Sequence, residues 1–181
     1  METHGAAIGD LEELRELLRK TVPRPHEPLG EILRRAGAID EAQLEEALGR
    51  QRREGGGRLG SLLVDMRLVD RTQVNLALAR KFGIPCVRLD RVRVSPDALD
   101  KLPADVALRY NLLPLGEIAG RLLVATDDPL NGQVLQAAAL YHNGPVDPVM
   151  APARDIALAL NRYYSRLDED QALADTRTDA V

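Results

Sequence analysis

The sequence has no tryptophan, one phenylalanine and one cysteine, and aromatic residues make up only 3% of it. So little aromatic surface leaves almost nothing from which to build a stacking platform for single-stranded nucleic acid. The lone Cys86 has no partner for an internal disulfide, which makes a reducing cytoplasm the expected location. No apolar run near the start suits a signal peptide or a membrane span, so direct membrane insertion is not expected. His4, His26 and His142 do not form a metal-ligand spacing, and Cys86 has no neighbouring Cys or His. An excess of positive charge is also missing. A net charge of -4 and a pI near 5.5 give no general attraction to nucleic acid or anionic lipid, and extended nucleic-acid binding is disfavoured.

What the chain does have is a repeat. Leu29-Gly30 recurs thirty residues later as Leu59-Gly60, Leu33 as Leu63, Asp40 as Asp70, Gln43 as Gln73, Ala47-Leu48 as Ala77-Leu78, and Arg50 as Arg80. Ile32, Ile39 and Leu44 are answered by the apolar Leu62, Val69 and Val74. Two copies are too few for a solenoid, but they can form a pseudo-symmetric surface that suits each other or a symmetric ligand. With 181 residues, 45% of them hydrophobic, the chain is long enough to bury a core made mainly of Leu, Val, Ile and Ala.

Local signals fill in the organisation. Leu11, Leu14, Leu17 and Leu18 after Asp10 mark a short amphipathic helix, and Pro23, Pro25 and Pro28 end it in a linker, so residues 1–27 stand apart. Residues 28–82 form the tandem-repeat helical subdomain. In each copy a short helix (Leu29, Ile32, Leu33, Ala36; then Leu59, Leu62, Leu63, Met66) is followed by a longer one carrying Leu44, Ala47, Leu48 and Gln51, or Val74, Ala77, Leu78 and Lys81. Gly37 suits a left-handed helix stop. Asp40 and Asp70 precede Gln43 and Gln73 by three residues, the spacing of a capping box. Glycines 55–57 read as a flexible joint, because no Gly-Lys-Ser or Gly-Lys-Thr follows to complete a phosphate loop.

Beyond Gly83 the pattern changes to a small α/β subdomain, residues 83–164. Strands are expected at Pro85 to Leu89, Leu112 to Leu115, Arg121 to Thr126 and Val146 to Ala151, with a Gly116 to Gly120 turn between the second and third. Helices are expected from Ser95-Pro96-Asp97, from Pro103 to Tyr110, from Asp127-Asp128-Pro129 through Leu140, and from Pro152 onwards. The strand–helix–strand order favours a mixed sheet. Residues 165–181 read as a disordered acidic tail. The fold class is therefore α+β, two helix hairpins followed by a small mixed β-sheet with flanking helices.

The paired Leu-Gly-x-x-Leu repeats, Phe82-Gly-Ile-Pro85, Leu113-Pro114-Leu115, the run Val124-Ala-Thr-Asp-Asp-Pro-Leu-Asn131 and the closing Asn161-Arg-Tyr-Tyr164 together resemble the N-terminal domain of type II secretion and type IV pilus assembly ATPases, the MshEN or GspE N-terminal domain. The resemblance implies a helical part followed by an α/β part. It also implies a partner in the secretion or pilus machinery, either the motor ATPase or its platform. Some family members bind cyclic di-GMP through tandem Arg-Leu-Gly motifs with a later Gly, spaced leucines and a closing Gln. Duplicated motifs suit a two-fold symmetric dinucleotide: Arg forks to guanine or phosphate, Leu covers purine faces, and Gly lets backbone amides approach.

On that resemblance the ligand-binding residues for cyclic di-GMP are Arg58, Leu59, Gly60, Leu63 and Leu78 in the second copy, with Leu29, Gly30, Leu33, Leu44, Leu48 and Gln51 in the first. The pattern is incomplete: Pro28 stands at the first Arg position, Arg67 at the second Gly position and Lys81 at the second closing Gln position. The leucines also fit a plain core and Arg58 a solvated helix-start charge, while Arg52 and Arg53 near Arg50 and Arg58 form a positive cluster that either attracts an anion or decorates a solvated helix. Asp127-Asp128 before Pro129 fits turn chemistry rather than an acid–base pair. No nucleophile, acid and base set is visible, and no cofactor is expected. The expectation is a non-catalytic regulatory or adaptor module with a degenerate nucleotide site, the alternative being a functional cyclic di-GMP receptor.

Overall fold

The computed structural model describes residues 11–20, 23 and 26–164. Among these, residues 17–86 make one compact unit and residues 11–16 with 87–164 the other. Helix α1 is Leu11–Lys20, with Leu14 buried. Its expected cap, Asp10, and the tail from 165 lie outside the described residues.

The helical unit contains α2 (Leu29–Arg35), α3 (Glu41–Arg53), α4 (Leu59–Asp65) and α5 (Arg71–Phe82). Each long helix opens with a complete capping box. The Asp40 carboxylate accepts from Gln43 N at 2.8 Å while Asp40 N donates to Gln43 Oε1 at 2.9 Å, and Asp70 and Gln73 do the same at 2.7 and 2.9 Å. Two amides per helix start are thereby satisfied, worth about 1 kcal/mol for each cap.

Each short helix ends the same way in both copies. Gly37 sits at φ 70° while Ala38 N donates to Leu33 O at 3.0 Å. Arg67, at the equivalent position, takes φ 57°, and Leu68 N donates to Leu63 O at the same distance. The left-handed stop therefore survives loss of its glycine, at a cost of roughly 1 kcal/mol to Arg67. Ile32, Leu33, Leu44, Ala47, Leu63, Val74 and Ala77 are buried together in the core of this unit.

The helices pack by exchange: α2 lies against α5 of the other copy, and α3 against α4. Both glycines of the Leu-Gly pairs sit in this packing. A Cβ on Gly30 would lie 2.5 Å from Leu44 Cδ1 and 3.4 Å from Leu59, and one on Gly60 would lie 2.7 Å from Val74 Cγ1 and 3.4 Å from Leu29. Since Val74 corresponds to Leu44 and Leu29 to Leu59, the two halves are related by a pseudo-two-fold operation.

The second unit holds a three-stranded sheet, β1 (Leu113–Ile118), β2 (Arg121–Thr126) and β3 (Val146–Met150), in the order β1-β2-β3. β1 and β2 are antiparallel, whereas β2 and β3 are parallel and joined through α8 (Gly132–His142), giving the mixed sheet expected from the element order. β2 is central, and Leu122, Leu123, Val124 and Ala125 are all buried. The flanking helices are α6 (Pro96–Leu99), α7 (Ala104–Tyr110) and α9 (residues 153–164). The Tyr164 hydroxyl of α9 donates to Leu102 O at 2.9 Å, and burial pushes its phenol up from the ordinary tyrosine value.

Three sequence expectations need correction here. Pro85 to Leu89 is not a strand: Pro85 has no N–H to give, Val87 N makes a single bond to Met150 O at 2.9 Å, and the chain then turns through Leu89–Arg91 with Arg88 paired to Asp90. Gly116 belongs to β1 rather than to the turn. A bulge between Pro114 and Gly116 shifts the register, and Ala119 and Gly120, both at positive φ, make the tight connection. The helix expected from Asp127 starts only at Gly132, because Asn131 is the cap, its Oδ1 accepting from Val134 N. Asp127 instead accepts from Asn111 Nδ2 at 3.3 Å.

Candidate functional site

The residues singled out in the repeat all fall in the helical unit, but they divide by burial. Leu33, Leu44 and Leu63 are 1%, 4% and 0% exposed, which makes them core. Leu29, Leu48, Leu59 and Leu78 are partly buried and pack on that core from outside. Gly30 and Gly60 are buried at the second positions of α2 and α4, where they allow Leu44 and Val74 to approach the helix backbone.

Arg58 is exposed at the N-cap of α4, and its side chain makes no capping bond. It borders an open recess of about 170 Å³ shared with Gln51, Ser61, Glu54 and Asp65. Its surroundings are mixed in charge. Glu54 is engaged by Arg50 at 2.6 Å, and this pairing holds the Arg50 guanidinium above its ordinary value through the hydrogen bond and charge of Glu54. At the matching position of α2 stands Pro28, with φ -63° and ψ 143°, which supplies neither a charge nor an N–H. One half of the pseudo-symmetric pair thus carries a guanidinium and the other a ring.

The structure gives the two closing residues a role that the sequence pattern alone did not reveal. Gln51 Nε2 donates to Gly57 O at 2.6 Å, and Lys81 Nζ donates to Glu27 O at 2.6 Å. Gly57 and Glu27 occupy equivalent places, each just before the motif of its copy. The end of each long helix therefore tethers the entry to the other copy's short helix. Lys81 departs from the Gln pattern in chemistry but makes the same contact, and the thirty-residue register was the signal that could have shown it.

Among the described residues, this geometry brings no nucleophile, acid and base set together. Burial pushes the Cys86 thiol up, partly offset by the Arg80 charge, which leaves it a poor nucleophile. Among the described residues no group of three or more His, Cys, Asp and Glu could hold a metal ion, and no helix is long and apolar enough to cross a membrane.

The comparisons with known proteins converge. The MshEN domain model matches residues 82–170. The type IV pilus assembly ATPase PilB of Thermus thermophilus is 34% identical over 141 residues, which cover 77% of this chain and 16% of PilB. Bacteriophage adsorption protein B of Escherichia coli is 31% identical over 139 residues, 77% of this chain and 18% of that protein. The chain thus spans less than a fifth of either relative. A solved structure of MshE with cyclic di-GMP superposes with a TM-score of 0.58 at 32% identity, covering 76% of this chain and 99% of the MshE chain. With the repeat, the mixed sheet and nearly the whole of that MshE chain matched, this chain belongs to the MshEN domain family.

Proposed function

We propose that this chain is a non-catalytic regulatory and docking module of a cytoplasmic secretion or pilus machinery, carrying a degenerate cyclic di-GMP site. Its relatives include a pilus assembly ATPase, but the matched part is the MshEN domain. The observation that carries the reading is the contrast between frame and donors. The two halves keep the same helix stops, capping boxes and glycine contacts, whereas the position that should present a second guanidinium holds Pro28. Arg58 and Leu59, with Leu29, Leu48 and Leu78, are the ligand-facing residues in this reading; Gly60 lies buried behind them, and Gln51 and Lys81 are both engaged, by the Gly57 and Glu27 carbonyls. Losing one charged hydrogen-bonding partner costs roughly 2–5 kcal/mol, so affinity falls by about thirtyfold or more.

The second reading is a working cyclic di-GMP receptor, and the structure of MshE with that ligand at 32% identity favours it. Calorimetric titration of cyclic di-GMP into wild type, Arg58→Ala and Pro28→Arg at one salt concentration separates the two. The degenerate reading expects weak or absent wild-type binding and a gain for Pro28→Arg. Tight wild-type binding lost in Arg58→Ala establishes the receptor. Tight binding indifferent to Arg58 places the ligand elsewhere.

A further inference from the structure

Two copies of one unit in a single chain let each half serve as a reference for the other, and among the places where the halves differ, one lies in a groove away from the Leu-Gly motifs. Between α2 and α5 runs an open groove of about 190 Å³, floored by Leu33 and Ala77, walled by Ala36, Ala38 and Leu76, with Arg80 at its rim. The equivalent place between α4 and α3 carries Met66 and Leu68 where the groove has Ala36 and Ala38, and both larger side chains are partly buried against the core. The backbone is the same in the two halves, Ala36 at φ -76°, ψ -3° and Met66 at φ -73°, ψ -4°. The groove therefore arises from shortened side chains.

Charge differs in parallel. In the filled half Arg50 meets Glu54 at 2.6 Å. In the open half the residue matching Glu54 is Ile84, and Arg80 is exposed and forms no ion pair among the described residues. The equivalent place between α3 and α4 thus indicates what would complete this one: a long apolar side chain in the groove and a carboxylate on the arginine.

We propose that the groove between α2 and α5 docks a segment of a partner protein that presents a Leu or Met side chain with an acidic residue beside it. The apolar residue covers Leu33 and Ala77, and the carboxylate pairs with Arg80. This surface is separate from Arg58 and does not depend on whether the nucleotide site binds.

The test uses a synthetic, end-blocked helical peptide of Ala, Leu and Glu, with Leu every three or four residues and a Glu beside each, titrated into the isotope-labelled chain and followed by amide chemical shifts. The expected result is saturable shifts at Ala36, Ala38, Leu76, Ala77 and Arg80. Arg80→Glu should weaken the Glu peptide about fivefold and favour a control peptide with Lys in place of Glu. Ala36→Met combined with Ala38→Leu should fill the groove as the other half does, keep the melting temperature at or above wild type, and abolish the shifts. The proposal is overturned by shifts outside the groove, by unchanged affinity in the filled variant, or by failure of that variant to fold, which breaks the equivalence of the halves. A concentration-dependent dimer that disappears in the filled variant also overturns it, by assigning the groove to a second copy.

Discussion

Gly60 is packed against a side chain that cannot easily yield, and it gives a quantitative test of the exchanged arrangement. A Cβ there would stand 2.7 Å from Val74 Cγ1, well inside ordinary contact, and 3.9 Å from Val74 Cβ. Val74 is β-branched and buried, so its χ1 has little freedom to yield, and α4 must move away from α5 instead. Overpacking of this kind costs typically about 1–3 kcal/mol, against a gain of about 0.5–1 kcal/mol from replacing glycine in a helix. Gly60→Ala should therefore destabilise by about 1–2 kcal/mol and lower the urea midpoint by roughly 0.5–1 M. Gly30→Ala is the control. Its added methyl meets the ends of the Leu44 side chain at 2.5 and 3.3 Å, which can rotate, so the change should stay within about 1 kcal/mol. Combining Gly60→Ala with Val74→Ala should be clearly less damaging than the sum of the single changes, with a coupling of about 1–2 kcal/mol. Gly60→Ala at or above wild-type stability, or strict additivity in the pair, would refute the packing argument.

Three further outcomes follow from residues already placed. Leu33→Ala and Leu63→Ala, at core positions 1% and 0% exposed, should each cost about 2–5 kcal/mol in denaturant unfolding, and wild-type midpoints for both would move these leucines out of the core. Arg67→Gly should stabilise by about 1 kcal/mol, because φ 57° suits glycine, and a lower midpoint would mean that the Arg67 side chain holds something the backbone does not show. Purified chain with magnesium should release no phosphate from ATP or GTP, since glycines 55–57 are followed by Arg58-Leu59 rather than by a phosphate-loop lysine; turnover abolished by a point mutation in this chain would sink the non-catalytic reading.

What the sequence shows plainly is what local spacing controls. The Asp-x-x-Gln pairs specify their capping boxes within four residues, and the 3.6-residue periodicity puts Leu44 and Ala47 inward without reference to any other element. The strand–helix–strand order likewise announces the parallel pairing of β2 and β3. Local signals mislead where a distant contact competes with them. Val87 and Leu89 look like a strand, yet one bond to Met150 is all the ladder offers them. Asp127 resembles a helix cap until Asn111, far along the chain, claims it. For the candidate site, the repeat register locates Arg58, Pro28 and Lys81, but the choice of α5 rather than α3 as the main partner of α2 is a tertiary fact. The groove beside Arg80 and the twin tethers of Gln51 and Lys81 depend on that choice.

The reciprocal contacts have a consequence for how the helical unit holds together. Residue i of one copy meets residue j of the other while j meets i, as Gly30 with Leu59 and Gly60 with Leu29, which is the signature of an isologous dimer interface carried within one polypeptide. A single copy on its own is then half of an interface, and the stretch Gly55–Gly57 acts as the tether that turns a bimolecular association into an intramolecular one. Cutting the chain within that stretch should leave each repeat copy unstructured on its own and let the two copies fold together when the fragments are mixed, with the sheet-bearing unit unaffected. Because both protomers of this internal dimer are encoded separately, they can differ at matched positions, as Pro28 does from Arg58 and Ala36 from Met66, in a way that no true homodimer permits.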